Sequence, residues 1–413
     1  MTYHDDPYEL GLFWHWGPIV TLILSATVTL TTWKWWPPEQ SLFWSAHFAL
    51  YMLLNVLSLY NFVKAVLVGP GLLPRGWHPV NPKEAKYMQY CKKCEGYKAP
   101  RVHHCRRCDR CVMKMDHHCP WINRCVGWSN QMYFVFFLFF YLMSNLHAFC
   151  VLTISGYQFF LDSTEMARRH HNGNLERYLR QHFFSIFMAI MSFGLTIGIV
   201  LCMLKLLVIQ IGAILKNITD VEQWIVEKAR ARRYKKNMKP FVFPYNLGWK
   251  LNLAEVFNIE RQHRGHGIEF PVVKGCNQYT LTLEQLAQKA EKRNRTRTYK
   301  CILPATGSWL PIWSQGLRVT FDSPLTDDPR IKLEPNDLIR VTRKRKHWLF
   351  GERVVGDDSR KGAIRGWFPR RCAVEVNDNG DTIANAAAKP EAPNESKHRV
   401  GKSKKSDKTN KDL

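Results

Sequence analysis

Cys91-Lys92-Lys93-Cys94 opens a stretch that continues through His103-His104-Cys105-Arg106-Arg107-Cys108-Asp109-Arg110-Cys111 to Asp116-His117-His118-Cys119-Pro120-Trp121-Ile122-Asn123-Arg124-Cys125. Seven of the 12 cysteines of the 413-residue chain fall here, among four histidines. That mixture reads as metal chemistry in a reducing compartment and not as a disulfide framework. Cysteines with two residues between them suit tetrahedral zinc, because a tight turn lets both thiolates face one ion. Two closed sites need eight ligands. If each takes three Cys and one His, one Cys and two His are left over.

Cys119 is the best candidate for the spare cysteine, since it sits beside Asp116 and His117 and is followed by Pro120 and Trp121. A nucleophilic thiol needs a base for its proton, and the base needs a third group to hold its tautomer. Asp116, His117 and Cys119 supply all three types. Positive charge at Arg106, Arg107, Arg110 and Lys114 favours thiolate over thiol. On spacing alone, Cys119 as one more metal ligand stays open.

Outward from this stretch the chain is apolar on both sides. The runs 12–32, 41–63, 131–156 and 183–204 each reach the roughly 20 residues that a helix needs to cross a bilayer. Trp14, Trp16, Trp33, Trp35, Trp36 and Trp44 cluster at the ends of the first two, where indoles favour the headgroup level. Between the second and third runs lie 13 Lys and Arg, whereas the turn between the first two holds only Lys34. The positive-inside rule therefore predicts a cytosolic cysteine-rich loop, with both termini on the same side. Met1–Leu10 carries Asp5, Asp6 and Glu9 and no Lys or Arg, unlike a cleaved signal peptide, so the first run is read as a retained helix. Asn145, His147 and Lys205, in or next to the apolar runs, are read as structural.

These residues closely resemble the DHHC family of protein S-acyltransferases, whose cysteine-rich domain lies between two membrane-helix pairs. The likeness covers roughly 12–258. It includes Lys98-Ala99-Pro100-Arg101, Asp116-His117-His118-Cys119-Pro120-Trp121 and Asn123 to Asn130, and also Gly69-Pro70-Gly71, where the family has Asp-Pro-Gly. The resemblance implies two interleaved structural zinc ions, one held by Cys91, Cys94, His104 and Cys111, the other by Cys105, Cys108, His118 and Cys125. It leaves His103 and His117 outside both sets, with no metal-bound water as catalyst. It implies palmitoyl transfer from acyl-CoA to Cys119 and then to membrane-proximal cysteines of target proteins, with His117 as base and acid and Asp116 orienting it. Trp121 is a candidate contact near the acyl carbonyl. Thr219-Asp220-Val221-Glu222 is similar to the family's Thr-Thr-x-Glu motif with Asp in second place, so Thr219 and Glu222 are expected to anchor the last helix to the zinc domain. Tyr245 and Asn252 match the family's aromatic and asparagine positions further on.

From about Gly316 short β-rich runs take over, at 317–321, 337–342, 347–355 and 366–376. Asp337-Leu338-Ile339-Arg340-Val341, Trp348 and Gly366-Trp367-Phe368-Pro369 resemble an SH3 domain, and the combination is similar to the endoplasmic-reticulum member of the DHHC family that ends in one. Cys372 where a tyrosine is usual, and the basic run Arg343–Lys346, weigh against ordinary proline-motif binding and favour an intramolecular or regulatory partner. Cys301 and Cys372 are candidates for acylation, although single cysteines in small domains are more often simply buried. The tail beyond 377 has a disordered composition, and its end only partly resembles a dilysine retrieval signal.

The fold expected is thus an α-helical multi-pass membrane protein of the endoplasmic reticulum. It divides into a first helix pair (1–68), a cytosolic zinc domain (69–130), a second helix pair (131–215), a cytosolic juxtamembrane region (216–312), an SH3-like β-barrel (313–376) and a basic tail (377–413). The net charge of +25 lies mainly outside the apolar runs and suits anionic lipid or cofactor phosphates. Nucleic-acid binding would need a groove-reading helix or stacking aromatics beyond charge, and is not expected. The rival reading is a non-catalytic, membrane-anchored zinc and SH3 scaffold, for which Cys119 would be dispensable.

Overall fold

The computed structural model describes residues 10–37, 41–169, 173–257, 267–326, 328–354 and 364–376. The acidic N-terminal run and the tail from 377 lie outside them. The described chain falls into two units, divided between Gln288 and Lys289.

In the first unit each apolar run becomes a helix: α1 (Trp16–Lys34), α2 (Leu42–Val68), α3 (Gln131–Arg169) and α4 (Gly173–Leu215). All four are long and apolar enough to cross a membrane, which makes this a multi-pass membrane protein. The last two, of 39 and 43 residues, outrun the 131–156 and 183–204 read from hydropathy. At 1.5 Å per residue each is about 60 Å long, twice the roughly 30 Å of hydrocarbon, so their polar ends stand outside it. The bundle packs α2 on α3 and α3 on α4, with α1 against α3 and α4. Asn145 behaves as a structural residue, its amide donating to Tyr141 O at 2.8 Å within the same helix.

Between α2 and α3 run six three-residue strands paired as hairpins: β1 (Gln89–Cys91) with β2 (Gly96–Lys98), β3 (His103–Cys105) with β4 (Arg110–Val112), and β5 (His117–Cys119) with β6 (Arg124–Val126). After α4 come α5 (Asp220–Lys235), α6 (Trp249–Phe257) and α7 (Thr280–Asn294). Gly69, at the altered first position of the family's Asp-Pro-Gly, has φ +68°, and a Cβ there would stand 2.3 Å from Arg124 Nη1. Any other residue would be strained and would have to displace that guanidinium.

The second unit holds β7 (Arg297–Cys301), β8 (Ala305–Thr306), α8 (Ile312–Gln315), α9 (Leu317–Phe321), β9 (Lys332–Leu333), β10 (Leu338–Lys344), β11 (Trp348–Val354), β12 (Arg365–Pro369) and β13 (Ala373–Val376). The sheet order is β12-β11-β10-β7-β13, antiparallel throughout. Two expectations need correction. Among the described residues the two end strands do not pair, so no closed barrel is found. Residues 317–321 form a helix instead of a strand, because Gly316 turns the chain at φ +82° and Val319 packs into a cluster with Trp348, Phe350 and Trp367. The sheet also takes in β7, upstream of the start at 313 expected from sequence. Cys301 and Cys372 are buried in its core beside Ile339, Leu349 and Phe368.

Candidate active site and metal centres

The three hairpins are successive copies of one pattern. Cys91, Cys105 and Cys119 occupy its first cysteine position, and Glu95, Asp109 and Asn123 turn each hairpin with φ of 53°, 47° and 51°. Asp and Asn are among the side chains that tolerate such left-handed positions best. The second position is Cys94 in the first copy, Cys108 in the second and Ile122 in the third.

Two donor clusters result, Cys91-Cys94-His104-Cys111 and Cys105-Cys108-His118-Cys125, each with its ligand atoms within 4.8 Å of one another. Each takes the Cys pair of one hairpin and the His and Cys of the next. His104 Nδ1 lies 3.5 Å from Cys91 Sγ, 3.5 Å from Cys94 Sγ and 4.0 Å from Cys111 Sγ. His118 Nδ1 lies 3.7, 3.4 and 3.7 Å from the sulfurs of Cys105, Cys108 and Cys125. A tetrahedral zinc with arms of about 2.0–2.3 Å has edges of about 3.3–3.8 Å, so donor type and spacing both fit that ion. The other imidazole nitrogen of His104 stands 3.6 Å from Asp109 Oδ1, an outer partner that orients the ring.

Cys119 heads a third pair that has no site. Its would-be partner is Ile122, fully buried, and no fourth hairpin follows, because the chain enters α3 at Gln131. The thiol is 5% exposed and belongs to the apolar cluster of the helix bundle, with Phe62, Phe134, Phe137 and Leu138. Above it α1 begins: a Cβ on Gly17 would sit 1.9 Å from Pro120 O, and the rings of Trp16 and Trp121 meet edge-on at 5.4 Å. Trp121, 42% exposed, thus has a structural neighbour in the first helix.

Asp116, 1% exposed, bonds His117 Nδ1 through Oδ2 at 2.8 Å. The same oxygen accepts from Gln210 Nε2 at 2.8 Å, and Oδ1 accepts from the backbone N–H of Asp220 at 2.8 Å. Burial by itself raises a carboxyl's affinity for a proton, but these donors and the His117 charge outweigh it and hold Asp116 below its ordinary value. Burial would likewise lower His117, yet bonds to Asp116 and Cys119 and the charge of both raise the imidazole to about 10. The arrangement orients Nδ1–H toward Asp116 and leaves Nε2 able to exchange a proton.

Two of these partners escape a reading of the sequence. Gln210 is a lone amide near the end of an apolar helix, and Asp220 acts through its main chain. The Asp at the second place of the Thr-Thr-x-Glu motif therefore keeps a contact that needs no particular side chain; its own carboxyl is raised by burial and by repulsion from Asp116.

Thr219 and Glu222 form a reciprocal capping box at the start of α5. Glu222 also receives Arg101 in a two-pronged pair at 2.7 and 2.8 Å, both side chains fully buried. The Arg101 guanidinium donates to Asn217 O at 2.8 Å and stacks 4.4 Å from the Tyr245 ring centre. Asn252 donates to Leu215 O at 2.8 Å, the last carbonyl of α4. These contacts join the hairpins to the end of the last membrane helix. Arg101→Leu strands Glu222 as a buried unpaired charge, and should destabilise the protein by about 3–5 kcal/mol in a thermal or denaturant transition. A loss below about 1 kcal/mol would show that the network carries little of the fold.

The DHHC palmitoyltransferase family model matches residues 84–227. Palmitoyltransferase ZDHHC6 of Bos taurus is 38% identical over 394 residues, covering 92% of this chain and 95% of that protein. Palmitoyltransferase ZDHHC6 of Danio rerio is 39% identical over 387 residues, with 89% and 93% covered. The chain belongs to the DHHC palmitoyltransferase family. The probable protein S-acyltransferase 13 of Arabidopsis thaliana shares 30% identity over 52% of this chain and 69% of its own length, so the likeness to that protein is confined to part of the chain. In this protein S-palmitoyltransferase Gln210 is placed to hold Asp116, and through it His117, in register. Its amide oxygen is buried without a hydrogen-bond partner among the described residues. Gln210→Leu should therefore keep the fold, since it also removes that unpartnered oxygen, while acylating about tenfold or more slowly, the worth of one hydrogen bond to a charged group. An unchanged single-turnover rate would remove Gln210 from the machinery.

Proposed function

We propose a two-step transfer of a long acyl chain from acyl-CoA to Cys119 and then to cysteines of target proteins. His117 Nε2 takes the Cys119 proton, the thiolate attacks the thioester carbonyl, and CoA leaves as a thiol with the proton from His117. A substrate thiol then gives its proton to His117 and attacks the Cys119 thioester, which releases Cys119. Asp116 stabilises the imidazolium at both stages and keeps its own charge. The observation that carries this reading is Cys119 at the site-less third hairpin, beside the Asp116–His117 pair and against the apolar bundle. Burying an acyl chain there stabilises binding by about 0.8 kcal/mol per CH₂, while CoA stays in water.

In the same reading, zinc bound at the two clusters supplies folding energy and holds the hairpins that position Asp116 and Cys119. In this reading both termini lie in the cytosol, which the basic loops support, and the protein resides in the endoplasmic reticulum, a reading that the family likeness supports. For the second unit we favour an SH3-like module with an internal or regulatory role. Trp348, which would line a proline-motif groove, is buried and donates to Val319 O at 2.9 Å, so the chain's own segment covers it.

The test is incubation of the purified, reconstituted enzyme with a clickable palmitoyl-CoA. Hydroxylamine-sensitive label on the enzyme that passes to an acceptor protein is expected; transfer without any enzyme-bound label would contradict the two-step route.

A further inference from the structure

The second unit carries an apolar surface that its own core does not use. Residues 302–326 contain two charged side chains, Arg318 and Asp322. Within that segment Trp313 is 100% exposed, Phe321 85% and Leu325 94%, with Leu310 and Leu317 more than half exposed. Leu317 and Phe321, four apart in α9, share one face of that helix, while Val319 and Thr320 turn inward. The face is braced from below. Trp348 Nε1 holds Val319 O, and Arg330 stacks 4.1 Å from the Trp309 ring centre and donates to Ser323 Oγ at 3.0 Å. Large apolar side chains are thus presented outward on a fixed platform, an arrangement that marks an interaction surface.

We propose that α8 and α9 form a membrane-docking face, with Trp313, Phe321 and Leu325 entering the headgroup and upper acyl region of a bilayer. Three observations select lipid as the occupant. Tryptophan and phenylalanine are the side chains that favour the interfacial zone. Arg318, Arg370 and Arg371 are exposed, and Arg371 reaches Gln315 O at 3.4 Å, so cationic groups flank the apolar tip as anionic lipid requires. The unit also follows the last membrane helix in the same chain, which keeps a bilayer at high effective concentration and lets a modest face suffice.

The test uses the full-length protein in nanodiscs of phosphatidylcholine with phosphatidylserine. A photo-crosslinking p-benzoylphenylalanine is placed at Trp313, at Phe321 or, as control, at Glu334, which is exposed and acidic. Lipid adducts at 313 and 321, several-fold above those at 334, are expected. Protein adducts at 313 or 321, to a second copy or another chain, would assign the face to a protein partner and overturn the proposal. Lipid adducts at or below the level at 334 would overturn it too. As a second measurement, Trp313→Ser combined with Phe321→Ser, folded as judged by an unchanged thermal transition, should raise amide exchange across 312–321 in the same nanodiscs. No rise would mean that these side chains do not hold the segment at the membrane.

Discussion

Cys119→Ala should abolish both acyl labelling of the enzyme and transfer to an acceptor while keeping about two zinc ions per chain. The reason lies in the hairpin repeat: both donor clusters are complete without Cys119, and Ile122 stands where its ligand partner would be. Removing the thiol leaves nothing to carry the acyl group and takes nothing from either metal centre. Cys105→Ser and Cys125→Ser should behave in the opposite way, losing zinc and with it the metal-linked folding energy. Metal content by mass spectrometry and labelling by a fluorescent acyl-CoA separate the two classes. Loss of one zinc from Cys119→Ala would mean that the thiol is a ligand.

His117→Ala should retain both zinc ions and slow acylation of Cys119 by about 10²–10⁴-fold, the usual worth of a positioned acid or base. The deficit should shrink as pH rises. In the wild-type site an imidazole raised by its bonds to Asp116 and Cys119 takes the thiol proton directly. Without the base, thiolate must come from solution, and its share grows with pH until the two enzymes converge. A ratio of rates that stays constant from neutral to alkaline pH would remove His117 as the base. Asp116→Ala should cost rate by disorienting His117, and should also cost stability, because the same carboxylate holds Gln210 and the first turn of α5.

How far the sequence reveals this site depends on the range of each interaction. The cysteine and histidine spacing is local, so both ligand sets and the spare Cys119 could be read from it with the family pattern as guide. The hairpin repeat behind that arithmetic was present in the sequence as His103-His104-Cys105 and His117-His118-Cys119, each followed by Arg-Cys-Val, and it explains why Cys119 has no metal partners. Gln210 could not be found the same way: it is far along the chain from Asp116, and an isolated amide in an apolar helix carries no periodic signal. Helix existence was legible from hydropathy and helix length was not, since α3 and α4 continue beyond the hydrocarbon into water. Leu317–Phe321 alternates like a strand, yet five residues after a left-handed Gly316 settle as a helix once Val319 packs beneath Trp348. In so short a segment tertiary packing decides.

The central claim is that Cys119 itself carries the acyl group between donor and acceptor. Its most direct test is a single turnover with palmitoyl-CoA, quenched in acid, digested and mapped by mass spectrometry, with a parallel sample chased by an acceptor peptide bearing one cysteine. The account predicts a hydroxylamine-sensitive palmitoyl group on the peptide containing Cys119, approaching one per active enzyme and discharged to the acceptor during the chase. Palmitate found on another cysteine while Cys119 stays unmodified, with transfer to the acceptor intact, would contradict it.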